Sequence, residues 1–189
     1  NTTKDLLIPQ GSVGGSFSYS NNSIEGDYAY DFNNGSPLYV SNAGTQFLTE
    51  SFDKLGLSAW IYPTSLTGDQ LIFEEGGITN GITLWLNDAT LKLTTVSGGN
   101  STAVTFHQNG LAINQWTHIA ATFDQGILKL YVNGVPNALP TTASHTLIPP
   151  HGGGAIGGLD LTHPDNAAGV NSNFQGLMDA FRYSKHVTW

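Results

Sequence analysis

A tryptophan inside a short apolar run is the residue whose type and position point most directly to chemistry. The run alternates two kinds of side chain, aliphatic at Ile82, Leu84 and Leu86 and polar or aromatic at Thr83, Trp85 and Asn87. Successive side chains of a strand point to opposite faces, so the indole of Trp85 faces away from the aliphatic residues. An indole on a polar face can stack on a sugar ring while neighbouring polar groups bond its hydroxyls. Trp85, Asn87 and Asp88 are therefore predicted to bind ligand; packing of Trp85 beneath a crossing loop is the alternative.

Two long loops, 136–154 and 160–173, are rich in Gly, Pro and His, and long loops on a β scaffold often carry recognition. The second loop adds five predicted ligand-binding residues: Asp160, His163, Asp165, Asn166 and Asn173. A solvated connection is the alternative for this loop. The loop histidines at 145, 151 and 163 match no metal-binding motif, and we expect them to be solvated.

The carboxylates do not form a recognisable catalytic pair. Glycosidases need two carboxylates about 5 to 9 Å apart across the scissile bond. The chain has only four glutamates: Glu25, Glu50, Glu74 and Glu75. Glu74 and Glu75 are adjacent, so in a strand they point to opposite faces. The sequence therefore predicts no catalytic residues.

The charge balance excludes several classes of partner. Six basic residues oppose fourteen acidic ones, which gives a formal net charge of −8. Binding to nucleic acid or to an anionic membrane surface requires clustered Lys and Arg, so neither is expected. No apolar run approaches the roughly 18 residues of a membrane span. The absence of cysteine excludes disulfides and thiolate zinc sites.

The composition and the spacing of apolar runs predict an all-β fold. Charged residues make up 11% of the chain, well below the usual quarter or so, and the common helix formers are scarce. Short apolar runs separated by turn residues are typical of an antiparallel sandwich, here of 11 to 14 strands. Residues 1–26 are expected to form an opening strand or an ordered loop. The predicted strands are Tyr28–Phe32, Leu38–Val40, Leu57–Tyr62, Gln70–Phe73, Ile82–Leu86, Leu91–Val96, Ala103–His107, Trp116–Phe123, Ile127–Val132, Ala155–Ile156 and Leu177–Tyr183.

Four ordered blocks resemble the laminin-G-like domains of the concanavalin A-like superfamily. They are Ala29–Gly35 leading into Leu38–Val40, Leu57-Ser-Ala-Trp-Ile-Tyr-Pro63, Trp116–Asp124 running into Leu130-Tyr-Val-Asn-Gly134, and Gly154–Gly158 followed by Phe174–Tyr183. The resemblance implies an antiparallel two-sheet jelly-roll sandwich. Within it we expect Trp60 and Trp116 to belong to the core and His118 to be a structural histidine.

The resemblance also implies a binding role. We expect residues 1–189 to form a single domain, a non-catalytic carbohydrate-binding module of a larger extracellular or cell-surface protein, bacterial in origin. Asn1 and Trp189 both resemble cut ends, which favours neighbouring domains in a parent chain. A protein-binding adhesive module is the first alternative, and a glycoside hydrolase or lyase-type domain is the second.

Many domains of this family hold one structural calcium ion, which requires oxygen ligands. Asp179 occupies the family's acidic position in the last strand, so the resemblance makes it the first candidate ligand. Asp27 or Asp31 would be its partner, together with a backbone carbonyl of the N-terminal segment. A second family acid is replaced by Ala180, and the alternative is that Asp179 caps the end of a strand.

Overall fold

The structure is a computed structural model that describes residues 18–34, 36–40, 50–106, 110–137, 139–160 and 166–185. Fourteen strands and no helix are found within these residues, so the predicted all-β class is confirmed. The strands are β1 (Tyr19–Ser20), β2 (Ala29–Asp31), β3 (Leu38–Val40), β4 (Lys54–Pro63), β5 (Asp69–Gly76), β6 (Gly81–Asn87), β7 (Thr90–Ser97), β8 (Asn100–Phe106), β9 (Thr117–Asp124), β10 (Ile127–Val132), β11 (Val135–Pro136), β12 (Thr141–Thr142), β13 (Gly154–Ile156) and β14 (Gly176–Lys185).

The described strands form two antiparallel sheets. The eight-stranded sheet has the order β1-β2-β14-β4-β9-β10-β11, with β12 also pairing with β10. The six-stranded sheet has the order β3-β13-β5-β6-β7-β8. β14, near the end of the chain, lies between β2 and β4, so the two ends of the described chain are held in one sheet.

Alternating side chains from both sheets build one hydrophobic core. In β4, Leu55, Leu57, Ala59 and Ile61 are fully buried, and in β6 Ile82, Leu84 and Leu86 are fully buried. Burial on one face of each strand and partial exposure on the other is expected for a sandwich with solvent on both outer faces. The aliphatic face of β6 is therefore its core face, as the sequence alternation indicates.

Each of the eleven predicted runs lies within or overlaps an observed strand. Most strands extend beyond the apolar run, because hairpin pairing continues into polar residues: the run Leu57–Tyr62 lies within Lys54–Pro63, and Gln70–Phe73 lies within Asp69–Gly76. Strand β1 lies within 1–26, where an opening strand was one of the two expectations, and the strands missed by the prediction are β11 and β12; all three are two residues long. Such short strands are defined by their partners and not by an apolar pattern of their own.

The prediction that Trp60 and Trp116 belong to the core is wrong. Trp60 alternates with the buried residues Ala59 and Ile61, so its side chain lies on the outer face of the eight-stranded sheet and is partly exposed. Trp116 directly precedes β9 and is also partly exposed. The aliphatic residues of β4 fill the core instead, and they leave the aromatic residues for the outer face.

Candidate functional site

Trp85 lies on the outer face of the six-stranded sheet and is partly exposed. Its register partners are Leu71 on β5 and Lys92 on β7. The indole Nε1 donates a hydrogen bond to Thr94 Oγ1 at 3.1 Å, and the ammonium of Lys92 lies 4.8 Å from the ring centroid. These contacts hold the indole in one orientation against the sheet and leave part of its surface in solvent.

Polar side chains continue from this indole toward the end of β6. Lys92 Nζ donates to Asn87 Oδ1 at 3.1 Å, and Asn87 Nδ2 donates to Asp69 Oδ1 at 2.6 Å. Asn87 is thus connected to Trp85 through Lys92. Asp88 has a different role, because its Oδ1 accepts the Gly68 N–H at 2.8 Å and holds the turn where Asp88 itself has a φ of 51°.

Thr83 is the neighbour of Trp85 on the same face of β6. Its side chain is fully buried, and its hydroxyl Oγ1 has no hydrogen-bond partner in the part of the chain that the structure describes. Because this hydroxyl is fully buried, it is not available to a ligand on the outer face, and Trp85 is the more exposed member of the pair.

Of the five predicted loop residues the structure describes three, and two of these, Asp160 and Asn173, contact β5. Asp160 is buried, and its backbone N–H donates to Glu74 Oε1 at 3.0 Å. Asn166 is fully buried and shapes its own loop, since its side chain bonds the backbone of Ala168 and Val170. Asn173 forms a parallel bridge with Leu71. His163 and Asp165 lie outside the described residues.

Glu74 and Glu75 point to opposite sides of the six-stranded sheet. Glu74 pairs with Thr83, on the Trp85 face, whereas Glu75 pairs with Ile82, on the core face. Both side chains are fully buried. A sheet therefore separates the two adjacent carboxylates, which is not the arrangement that a pair of glycosidase carboxylates requires.

Glu75 belongs to a buried charge cluster formed with His151, Tyr183 and Lys185. Its Oε1 lies 2.6 Å from Lys185 Nζ and 2.5 Å from His151 Nε2, and its Oε2 accepts a hydrogen bond from the Tyr183 hydroxyl. Burial, and then the adjacent Glu75 carboxylate, raise the pKa of Tyr183 well above 10. A carboxylate held by three donors is a structural anchor at the edge of the core.

His151 is not solvated and His145 is only partly exposed, which corrects the expectation for the two loop histidines. The side chain of His151 is 2% exposed and packs edge-on against Phe52, with ring centroids 5.7 Å apart. His145 contacts Thr95 Oγ1 through Nε2 at 3.0 Å, and burial lowers its pKa. His151 therefore packs with Glu75 and Phe52, whereas His145 contacts β7.

A shallow cavity of ≈ 200 Å³ lies at the β5–β6 turn, apart from Trp85. Gly76 to Asn80 line it together with His151 and Gly152. Two of its polar side chains already have partners, because Asn80 Oδ1 accepts the Gly98 N–H at 2.9 Å and His151 is held by Glu75. No aromatic residue other than His151 lines the cavity, so it lacks the stacking platform that Trp85 offers.

The outer face of the eight-stranded sheet carries an aromatic array that sequence reasoning missed, formed by Trp60, Tyr62, Trp116 and His118. The ring centroids of Trp60 and His118 are 5.2 Å apart, and those of Tyr62 and Trp116 are 5.4 Å apart. Burial, and then the charge of Arg182, lower the pKa of His118. The available signal was the aliphatic phase of β4, which leaves Trp60 and Tyr62 together on the other face.

The segment 21–28 between β1 and β2, called the β1–β2 arm below, is anchored on this face at three points. Trp116 Nε1 donates to Asn22 Oδ1 at 3.0 Å. The N–H groups of Ile24 and Glu25 donate to Asp179 Oδ2 at 2.7 and 2.8 Å. Glu25 also pairs with Arg182, whose Nη2 lies 2.8 Å from Oε1. The aromatic array and its neighbours therefore hold a chain segment.

Two of the three carboxylates of the expected calcium site, those of Asp179 and Asp31, accept hydrogen bonds from N–H groups, and Asp27 is exposed. Asp179 Oδ1 accepts the Ala180 N–H at 2.7 Å, in addition to the two arm N–H groups at Oδ2. Asp31 accepts hydrogen bonds from Asn33 and Asn34. Among the described residues no three His, Asp or Glu side chains are grouped closely enough to share a metal ion. An N–H group cannot serve as a ligand for Ca²⁺, which binds oxygen atoms. Calcium binding therefore stays a prediction from the sequence.

The fold and its blocks agree with one known family. Residues 32–188 match the family described as the concanavalin A-like lectin/glucanases superfamily. The match covers most of the chain, and the chain belongs to this superfamily, so the two-sheet architecture is the expected jelly-roll sandwich. No curated protein sequence matches the chain.

Several solved structures share the fold at low sequence identity. Domain 4 of the extracellular arabinanase AbnA from Geobacillus stearothermophilus, in complex with arabinotriose, is 22% identical with a TM-score of 0.64, covering 91% of this chain and 76% of that one. Domains LG4-5 of the mouse laminin α1 chain are 15% identical with a TM-score of 0.65, covering 79% of this chain and 38% of that one. The CBM40 of a Ruminococcus gnavus IT-sialidase, bound to α2,3-sialyllactose, is 14% identical with a TM-score of 0.59, covering 73% and 78%.

These likenesses establish the fold. The superfamily includes lectins and glucanases, and the same sandwich serves both binding and hydrolysis, so the particular function depends on the site. Within the described residues no helix is long and apolar enough to cross a membrane.

Proposed function

We propose that this chain is a non-catalytic carbohydrate-binding module that holds its glycan on the outer face of the six-stranded sheet, with Trp85 as the stacking platform. The observation that carries the proposal is the fixed, partly exposed indole of Trp85, whose N–H is bonded to Thr94. A fixed aromatic plane with polar groups at its margin suits the flat apolar face and the hydroxyl rim of a sugar ring.

Two further observations support a non-catalytic binding role. Glu74 and Glu75 are separated by the sheet, and Glu75 is held by Lys185 and His151, so neither forms an evident hydrolytic pair. Two solved structures of the same fold hold a bound glycan, arabinotriose in one and sialyllactose in the other. We extend the proposal to an extracellular or cell-surface setting, beside other domains of a parent chain.

The decisive variant is Trp85→Ala, tested on a glycan array and by titration calorimetry with the best glycan found. Loss of the platform should weaken binding more than about tenfold, the equivalent of 1.4 kcal/mol. Trp60→Ala is the matched control, because it removes the same side chain from the outer face of the other sheet and should leave glycan affinity unchanged.

Circular dichroism and thermal unfolding would establish that both variants keep the sandwich. Normal glycan binding by Trp85→Ala would overturn the platform. If the wild-type chain binds no glycan on the array, the protein-binding adhesive module takes the place of this proposal.

A further inference from the structure

Lys92 differs from the other cations that the structure describes. Lys54 pairs with Asp124, Arg182 with Glu25 and Lys185 with Glu75. Lys92 is half-buried and forms no ion pair with the described residues; its partners are the neutral amide oxygen of Asn87 and the indole ring of Trp85. Lys129 also lacks an ion pair in the described chain, but it is exposed and lies in the other sheet.

The ammonium of Lys92 is fixed in position. Asn87 Oδ1 accepts its hydrogen bond at 3.1 Å, and Asn87 is held in turn by Asp69 at 2.6 Å. Lys92 Nζ also contacts the face of the Trp85 ring, 4.8 Å from the ring centroid. A cation held in place loses little further entropy when an anion binds it, and a charge-assisted hydrogen bond is stronger than a neutral one.

The neighbouring side chains offer hydroxyl groups and no competing carboxylate on β7 or β8. Thr105 lies directly opposite Lys92 on β8 and is partly exposed, while Thr94 is next to Lys92 on the same face. A sugar stacked on the exposed part of the indole would bring a ring substituent to Lys92 Nζ, which lies above the same ring. A carboxylate at that position would form an ion pair with Lys92, which has none among the described residues.

We propose that the Trp85 face selects glycans that carry a carboxylate, such as uronic or sialic acid residues, and that Lys92 is the residue that determines this specificity. This inference rests on the proposed glycan-binding function. Because the whole chain carries a formal charge of −8, long-range attraction of a polyanion is excluded, and the preference must come from this local contact.

The test compares acidic glycans with neutral derivatives of the same glycans. Trigalacturonate and α2,3-sialyllactose are each titrated against their own methyl esters by calorimetry at low and moderate salt. The acid member of at least one pair should bind about tenfold or more tightly than its neutral match, and added salt should reduce the difference. The two pairs distinguish a uronic acid from a sialic acid as the source of the carboxylate.

Variants then assign the preference to the ammonium. Lys92→Gln keeps a donor for Asn87 but removes the charge, so it should abolish the preference for the acid. Lys92→Arg should retain the preference, and Lys129→Gln is the matched control that should change nothing. Trp85→Ala should weaken acid and neutral glycans alike.

The outcomes separate this inference from the function on which it rests. Equal binding of acid and neutral glycans, or an acid preference that survives in Lys92→Gln, would overturn the role of Lys92 and leave the glycan module standing. Absence of binding to every glycan on the array would overturn both proposals.

Discussion

The two outer faces of the sandwich both carry tryptophan, but the partners of those tryptophans differ in kind. On the eight-stranded sheet, Trp116 donates to Asn22, which lies 94 positions away in the sequence and belongs to the β1–β2 arm. On the six-stranded sheet, the indole of Trp85 donates to Thr94 on the adjacent strand, nine positions away, and contacts Lys92 on that same strand. One face uses its aromatic side chains to hold a distant segment of the chain. The other is organised by one hairpin, and its indole stays partly exposed.

The largest effect on the arm side of this comparison is expected for Asp179→Ala. The variant removes the acceptor of the Ile24 and Glu25 N–H groups, and hydrogen bonds to charged groups contribute about 1.5–3 kcal/mol each. We expect the free energy of unfolding in urea to fall by about 2–3 kcal/mol. Asp124→Ala, which breaks only the exposed pair with Lys54, should cost less than about 1 kcal/mol.

Glycan affinity at Trp85 should be the same in Asp179→Ala as in the wild-type chain, because the two sites lie on different sheets. A loss of binding in this variant would show that the two faces are coupled. The same pair of proteins decides the calcium question by thermal melts in calcium and in chelator. The N–H donors at Asp179 lead us to expect equal midpoints, whereas a higher wild-type midpoint in calcium, lost in Asp179→Ala, would restore the site that the family resemblance implies.

A smaller effect is expected for Trp116→Phe. Phenylalanine keeps a ring beside Tyr62 but removes the N–H that bonds Asn22, a contact at the surface. We expect a loss of about 1 kcal/mol or less and faster amide hydrogen exchange confined to the β1–β2 arm. Unchanged exchange in the arm would mean that Asp179 and Arg182 hold it without the indole.

The smallest expected effect concerns the pH dependence of thermal stability, to which His118 of the aromatic array contributes. Burial lowers the pKa of His118 below its ordinary value of 6.5, so the folded state favours the neutral imidazole. As the pH falls below 6.5, the unfolded chain takes up this proton before the folded chain does, and the contribution of His118 to stability is lost. The melting midpoint of His118→Gln should therefore decline less between pH 7 and pH 5 than that of the wild-type chain. Parallel declines would remove His118 from the acid response; His145, whose pKa is also lowered, would then be substituted next.

The alternation of side-chain types along the sequence predicted the positions of the strands well. It predicted which face of each strand is buried only in part. The run at Ile82–Leu86 is aliphatic in one phase, and the structure buries that phase and turns Trp85 outward. In β4 both phases carry large apolar residues, Leu57 and Ile61 in one and Trp60 in the other, so the period of two identifies the two faces without saying which is inner. Size favoured Trp60 for the core, and the close packing of aliphatic side chains between the sheets decided otherwise.

The sequence alone determined the all-β class, the positions of the longer strands, the opposite orientations of Glu74 and Glu75 and the polar setting of Trp85, because each depends on neighbours within one strand. The tertiary structure decided the rest. It brought His151, from the loop before β13, and Lys185, from the end of β14, to Glu75. It also attached the β1–β2 arm to Asp179 across more than 150 positions and set Lys92 over Trp85 through hairpin pairing. Such contacts depend on which strands become neighbours, and strand order is fixed by the packing of the whole chain and not by any local pattern.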